Sequence, residues 1–257
     1  MSKTENEFIK IPNIEYTEDM RPVSHEAFDN IVQNRRSVRV YTEEKVPSDI
    51  VEKVLQWALL APTSSNLQCW EFHWVKDPEK RKALVEALMN QPAARTSQEL
   101  IVAVARLDTW KRVSKDMVKI LEKDVRTPKS ALMYYKKLVP LAYNQGPMGI
   151  FGLIKKVTTY GIGLFRPIPR EPNSHADMRV WSVKTTALAC QNIMMGFSAY
   201  GYDSCPMEGY DSARIKKILG LNRKSEVVMV ISAGKRAKNG VYGPRLRMPQ
   251  KEFIKIH

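Results

Sequence analysis

Cysteine and histidine are scarce in this chain of 257 residues, and their spacing argues against several classes of site. The three cysteines (Cys69, Cys190 and Cys205) are odd in number and far apart, so they form neither a CxxC pair nor a disulfide framework. This pattern favours a reducing compartment, and we expect a cytoplasmic protein. The four histidines lack metal-ligand spacing, so no metal site is predicted.

Long apolar runs and leader signals are also lacking. No stretch approaches the roughly 18 apolar residues of a membrane span, and the first residues lack the apolar core of a signal peptide. The sequence contains no zinc-finger spacing, no RNP-like aromatic motif and no heptad repeat, so we expect no nucleic-acid partner. Its length suits one large domain or two small ones.

Positive charge is abundant and local. The formal net charge is +14; residues 111–170 carry 13 Lys or Arg against 3 Asp or Glu, and residues 234–257 carry 7 against 1. The rest of the chain is close to neutral. Local basic charge indicates an anionic partner such as a cofactor phosphate, an acidic substrate or a lipid surface.

Hydrophobic periodicity predicts alternating helices and strands after a proline-containing N-terminal arm (residues 1–24). Helices are predicted over 25–33, 47–60, 77–89, 109–124, 177–200 and 211–220, and strands over 70–75, 100–107 and 226–233. The strand over 100–107 is rich in branched residues and should be central. The helix over 177–200 is apolar on nearly every side and should be buried. Residues 203–211 are typical of a tight loop.

Residues 126–173 match no regular core element, and we interpret them as a basic, lid-like insertion. Buried unpaired cations are costly, so the Lys and Arg side chains should form a rim while the apolar ones face inward. The inward set is Met133, Tyr134, Tyr135, Ile150, Phe151 and Leu153. Such a lid would favour an anionic substrate or donor. The alternative is contact with a lipid surface, where aromatic and basic mixtures also bind; we favour the lid.

Two polar blocks carry the strongest functional signal. The first, RRSVRVY at residues 35–41, combines three guanidiniums with a hydroxyl and suits a phosphate, because Arg presents a planar fork of donors. Taken alone, it could equally be a solvated basic turn. The second, APTSSNLQCWEF at residues 61–72, is a loop of short donors and acceptors that leads into a strand, and it suits a flat, heteroatom-rich ring.

In this order and spacing, the two blocks resemble the nitroreductase superfamily of FMN enzymes. PMEG at residues 206–209 resembles the family's Pro-x-Glu-Gly loop, and PRLRMP at residues 244–249 resembles its closing Lys-x-Arg-x-Pro signature. Arg245 stands where Lys is common, and Cys69 replaces the proline usual before the tryptophan. The resemblance covers about residues 25–107 and 175–250 and leaves the insertion outside.

The resemblance implies a fold and a set of cofactor-binding residues. The fold is α+β, with a central, mostly antiparallel sheet flanked by helices, a long central helix and an intertwined homodimer; residues 25–257 form the FMN domain. The residues implied at the phosphate are Arg35, Ser37, Arg245 and Arg247, with Arg39 beside the N1–C2=O side of the ring. Arg36 is also implied as a cofactor-binding residue. The partner subunit would supply Pro62, Thr63, Ser64 and Asn66, supported by Gln68. The flavin edge would face the backbone of Pro206, Met207, Glu208 and Gly209.

The implied function is that of an FMN-dependent oxidoreductase with a ping-pong mechanism. NAD(P)H would reduce the flavin and leave before a nitroaromatic, quinone or related acceptor binds, and an anionic acceptor suits the basic insertion. No catalytic side chain is implied, because the flavin carries the redox chemistry. Alternatives are another flavin reaction of the superfamily, such as reductive dehalogenation or a specialised dehydrogenation, and a non-catalytic flavin-binding or membrane-surface protein.

Overall fold

A four-stranded antiparallel sheet lies at the centre of the structure, a computed structural model that describes residues 16–257. The strands are β1 (Trp70–Trp74), β2 (Glu99–Arg106), β3 (Asp203–Met207) and β4 (Ser225–Gly234), in the order β1-β2-β4-β3. Each neighbouring pair is antiparallel. Residues 100–105 of β2 are fully buried between β1 and β4. The predicted α+β class and the central position of this strand are confirmed.

Helices cover both faces of the sheet. They are α1 (His25–Asn34), α2 (Ser48–Ala58), α3 (Pro78–Ala87), α4 (Pro92–Thr96), α5 (Trp110–Leu121), α6 (Lys129–Met133), α7 (Val139–Tyr143), α8 (Ile150–Ile162), α9 (His175–Ala199) and α10 (Ser212–Leu219). No helix within residues 16–257 is both long and apolar enough to cross a bilayer.

The alternation of side chains along β2 and β4 divides the core into two layers. Val102 and Val104 pack with α3, α4 and α10 on one face. Ile101 and Ala103 pack with α2 and the 25-residue α9 on the other. The predicted long central helix is therefore present, although Leu188 on its outer side is half exposed in the single chain.

Local capping explains where several helices begin and end. The Ser24 hydroxyl accepts a hydrogen bond from the Ala27 amide at 3.1 Å, and Asp77 accepts one from the Lys80 amide at 2.8 Å. Asp211 caps α10 in the same way, and Gly220 ends that helix with a left-handed φ of 65°. These caps confirm the predicted starts of α1, α3 and α10.

Residues 203–211 were expected to form a loop, and this was wrong for their first half. Residues 203–207 form the edge strand β3, in register with β4. Pro206 lacks a backbone donor, which is tolerated at the edge of a sheet. The short helix α4 was not expected. Of the predicted N-terminal arm, residues 1–15 lie outside the described residues, and residues 16–24 are exposed without regular structure.

The segment 126–173 was expected to contain no regular core element, and this was also wrong. It contains α6, a π-helical turn at Tyr134–Leu138, α7 and α8. Val139 and Tyr143 belong to a third buried cluster with Leu67 and Trp110. The inward-facing prediction fits Tyr134 and Tyr135, which pack against this cluster. It is wrong for Ile150 and Leu153, which are 54% and 63% exposed.

Candidate functional site

Two segments from opposite ends of the chain line one cavity of about 250 Å³. Its walls are residues 35–37, 39 and 241–247, and we call it the arginine pocket. Five guanidinium groups belong to its lining residues, and no lining residue is acidic. The tertiary structure thus brings the first polar block and the C-terminal signature together, as predicted for a phosphate site.

Two of the five arginines connect the segments. Arg245 Nη2 donates to the carbonyls of Gln33 at 2.6 Å and Arg35 at 2.9 Å. Arg36 Nη2 donates to the Gly243 carbonyl at 2.6 Å. These bonds build the pocket, so Arg36 and Arg245 hold its walls in place.

The guanidinium groups of Arg35 and Arg247 do not connect the two walls of the pocket in the described structure. Within residues 16–257, Arg247 Nη1 donates only to the adjacent Leu246 carbonyl, at 2.7 Å, and its side chain is exposed. Arg35 is half-buried, and within the described part of the chain neither guanidinium pairs with a carboxylate. The nearby Arg236, in contrast, donates from Nε to Asp203 at 2.9 Å. Arg35 and Arg247 are therefore available to a ligand in the pocket.

The electrostatics of the pocket favour an anion. Burial, and then the positive charges of Arg245, Arg247 and Arg36, lower the pKa of the Arg35 guanidinium. Like charges this close repel one another. A bound dianion such as a phosphate group would relieve the repulsion and accept several charge-assisted hydrogen bonds.

The arginine pocket lies beside the start of β3. Ser37 forms a parallel bridge with Ser204, and the Val38 amide donates to the Ser204 carbonyl at 3.2 Å. The strand then continues to the segment 206–209, where Met207 is buried while Glu208 and Gly209 are exposed. Four residues of strand span roughly 13 Å. The two predicted contact regions therefore lie at opposite ends of one short strand.

The second polar block lies apart from the arginine pocket. None of residues 62–68 lines that cavity. Instead, the loop packs on the insertion: Ser64 Oγ is 3.0 Å from the Tyr143 hydroxyl, and Ser65 Oγ is 2.6 Å from the Tyr134 hydroxyl. The Tyr135 hydroxyl donates to the Ser65 carbonyl at 3.1 Å. Within one chain, the two predicted halves of the site do not meet.

This loop has an unusual backbone. Ser65, Asn66 and Gln68 have φ angles of 55°, 47° and 45°, a left-handed region that costs energy for residues other than glycine. Side chains stabilise the conformation: the Gln68 amide donates to Thr63 Oγ1 at 3.1 Å, and Gln68 Nε2 donates to Asn66 Oδ1 at 3.2 Å. Gln68 thus supports the loop, while Pro62, Ser64 and Asn66 remain exposed.

Sequence reasoning missed three residues at these positions. Tyr242 lines the arginine pocket, with its ring centroid 5.8 Å from the Arg39 guanidinium carbon. Ser204 has a buried hydroxyl without a partner in the described structure. Gln91 Nε2 donates to the Gly209 carbonyl at 2.7 Å. Only Tyr242 carried a signal, since it lies between two glycines just before the C-terminal signature.

Comparison with known proteins places the chain in a family. Residues 32–235 match the family described as "Nitroreductase family". The chain belongs to the nitroreductase family. The bounds of the match include residues 126–173.

Several proteins show the extent of the nitroreductase likeness. YdgI of Bacillus subtilis, provisionally named an NAD(P)H nitroreductase, is 29% identical over 85% of this chain and 93% of its own. The 4-nitrobenzoate reductase of Pseudomonas putida is 24% identical over 87% and 91%. A provisional nitroreductase from Exiguobacterium sibiricum, solved in complex with FMN, is 23% identical; the alignment covers 90% of this chain and 97% of that one, with a TM-score of 0.62.

Proposed function

We propose that this protein binds FMN at the arginine pocket and uses NAD(P)H to reduce nitroaromatic, quinone or related acceptors. The observation that carries the proposal is the convergence of residues 35–39 and 241–247 on one cavity. The names of the relatives support it, since YdgI is named for NAD(P)H and the Exiguobacterium protein was solved with FMN. When bound, FMN supplies the redox chemistry and alternates between the donor and the acceptor.

The residues present fit the phosphate end of FMN. Arg35 and Arg247 can donate to it without breaking a bond between the two walls, and Ser37 adds an exposed hydroxyl. The surrounding charge of Arg36 and Arg245 adds long-range attraction. The ring would then extend along β3 toward Glu208 and Gly209, where the lack of a side chain on Gly209 permits close approach of the backbone.

The site is completed, in this proposal, by a second copy of the chain. Pro62, Ser64 and Asn66 of the strained loop 62–68 are exposed but lie outside the arginine pocket, so the same loop of a partner would line the ring. Apolar side chains on α1 and α9 are available for such an interface: Phe28, Val180 and Leu188 are each at least half exposed. An intertwined homodimer would bury them.

An anionic acceptor suits a second cavity next to this loop. The cavity, of about 550 Å³, is lined by Trp110, Tyr135 and four lysines: Lys111, Lys115, Lys119 and Lys136. Tyr135 also contacts Ser65, so cavity and loop adjoin. Lys119 and Lys136 pair with Asp116 at 3.1 Å and Glu122 at 2.6 Å. Lys111 and Lys115 have no carboxylate partner in the described structure, so their charge is available to a carboxylate ligand.

The function is tested with purified protein. We expect bound flavin, and NADH or NADPH oxidation that requires an added acceptor. With 4-nitrobenzoate and neutral nitrobenzene as a matched pair, Lys115→Gln should raise KM for the anion alone, while Lys53→Gln on α2 should change neither. A protein without flavin affinity would contradict the proposal, as would flavin binding without turnover of any nitro or quinone acceptor. Equal effects on the two nitro compounds would contradict only the anionic preference.

A further inference from the structure

Helix α8 carries its apolar residues on the outside. Ile150, Leu153, Ile154, Val157 and Tyr160 recur at spacings of three and four and are each more than half exposed. We call them the apolar stripe. A surface helix normally turns such a stripe toward the core. Here the stripe continues into Leu164 and Phe165, which are also exposed.

The inner face of α8 is fixed to the protein by polar and close backbone contacts. Lys155 Nζ donates to the carbonyls of Ala142 at 2.6 Å and Pro172 at 3.0 Å. A Cβ on Gly152 would overlap the Asn173 backbone. Asn173 Nδ2 donates to Thr159 Oγ1 at 3.3 Å. The outward orientation of the stripe therefore follows from specific contacts on its opposite side.

Positive charge predominates in the segment that carries the stripe, which is bordered by Asp124 and Glu171. Residues 125–170 contain eight Lys or Arg and no Asp or Glu. Lys156 is exposed on α8, and the Arg170 guanidinium lies 4.8 Å from the centroid of the Tyr160 ring. An apolar face flanked by Lys156 and Arg170 complements a surface that is apolar inside and negative at its rim.

We infer that the apolar stripe is a docking surface for an anionic lipid bilayer. An interfacial helix of this kind buries its apolar side chains at the boundary between headgroups and acyl chains, while Lys and Arg contact lipid phosphates. A symmetric contact with a second copy is disfavoured, because it would bring the same cationic patch against itself. Attachment would be peripheral and reversible.

Co-sedimentation of the full chain with vesicles tests this inference. We expect binding to vesicles of phosphatidylcholine mixed with phosphatidylglycerol, none to phosphatidylcholine alone, and weaker binding as salt rises. Leu153→Gln combined with Val157→Gln should weaken binding by about tenfold or more, since apolar burial is lost. Lys156→Gln combined with Arg166→Gln should reduce the preference for phosphatidylglycerol. Ile120→Gln on α5, a similar change at a side chain of comparable exposure (61% against 69% for Val157), should have no effect.

Three results would overturn the inference. The first is wild-type protein that stays in the supernatant with anionic vesicles at low salt. The second is a stripe variant that binds as well as the wild type. The third is a stripe variant with half the wild-type mass by light scattering, which would make the stripe a subunit interface. Flavin content and NAD(P)H oxidation are measured separately, so the first two results leave the proposed enzymatic function untouched.

Discussion

Replacing Arg247 with alanine should weaken FMN binding while leaving the fold intact. The Arg247 side chain is exposed and, in the described part of the chain, donates only to the neighbouring Leu246 carbonyl, so its loss separates no wall of the arginine pocket. A hydrogen bond to a charged group contributes about 1.5–3 kcal/mol. Because each 1.4 kcal/mol corresponds to a tenfold change in affinity, the Kd for FMN should rise about ten- to hundredfold. Because Arg247 is exposed and its charge is screened by solvent, we expect a value near the lower end of this range.

The assay is a titration of apoprotein with FMN, followed by flavin fluorescence, at several salt concentrations. Binding to the variant should depend less on salt, because one cation no longer contacts the phosphate. Arg214→Ala is the matched control, because it removes the same charge from an exposed arginine that does not line the arginine pocket. Arg214 lies on α10, with its Nε 3.2 Å from the Asp211 carboxylate. Arg245→Ala should behave differently, since it breaks bonds to Gln33 and Arg35 and should lower thermal stability as well.

Equal FMN retention by Arg247→Ala and Arg214→Ala would refute a phosphate contact by Arg247. That outcome would mean that the pocket attracts FMN through net charge alone or does not hold its phosphate at all. Arg35→Ala would separate the two explanations, because it removes a half-buried cation of the pocket, whose pKa is lowered by burial and then by its arginine neighbours.

Three further predictions follow from the fold. Light scattering should give twice the chain mass of 29.5 kDa, and a monomer that binds FMN tightly would contradict the composite site. Gly152→Ala should destabilise the protein by about 1–3 kcal/mol through overpacking. Gly161→Ala in the same helix meets open space and should instead stabilise the protein by about 0.5–1 kcal/mol. Denaturant unfolding measures both free energies, and equal effects would contradict the packing of α8. Burial raises the pKa of the Cys69 and Cys190 thiols to about 12, so at pH 8 these thiols should react with a disulfide reagent only after unfolding. Rapid reaction in the native protein would show that they are accessible.

Much of the secondary structure could be predicted because it depends on neighbouring residues. Ser24 and Asp211 cap helices through bonds to amides three residues away, and Gly220 ends α10 because it tolerates a left-handed backbone. Because β2 is buried on both faces, its sequence is a continuous apolar run and does not alternate with polar residues. These signals lie within a few positions of the structure that they determine.

The errors arose where a distant segment decided the outcome. Residues 203–207 contain a proline and resemble a loop, yet pairing with β4 makes them an edge strand. Helix α8 has the periodicity of a core helix. Its orientation is decided by Lys155, which reaches the carbonyls of Ala142 and Pro172.

The candidate site shows the same division. The sequence alone determined that residues 35–39 and 244–249 have the composition of a phosphate site, because guanidinium and hydroxyl groups have that affinity wherever they occur. Only the tertiary structure decided which arginines are free to bind. Arg36 and Arg245 donate to backbone carbonyls far away in the chain, while Arg247 does not. Chemical type is a property of each residue, whereas availability depends on the neighbours that folding brings to it.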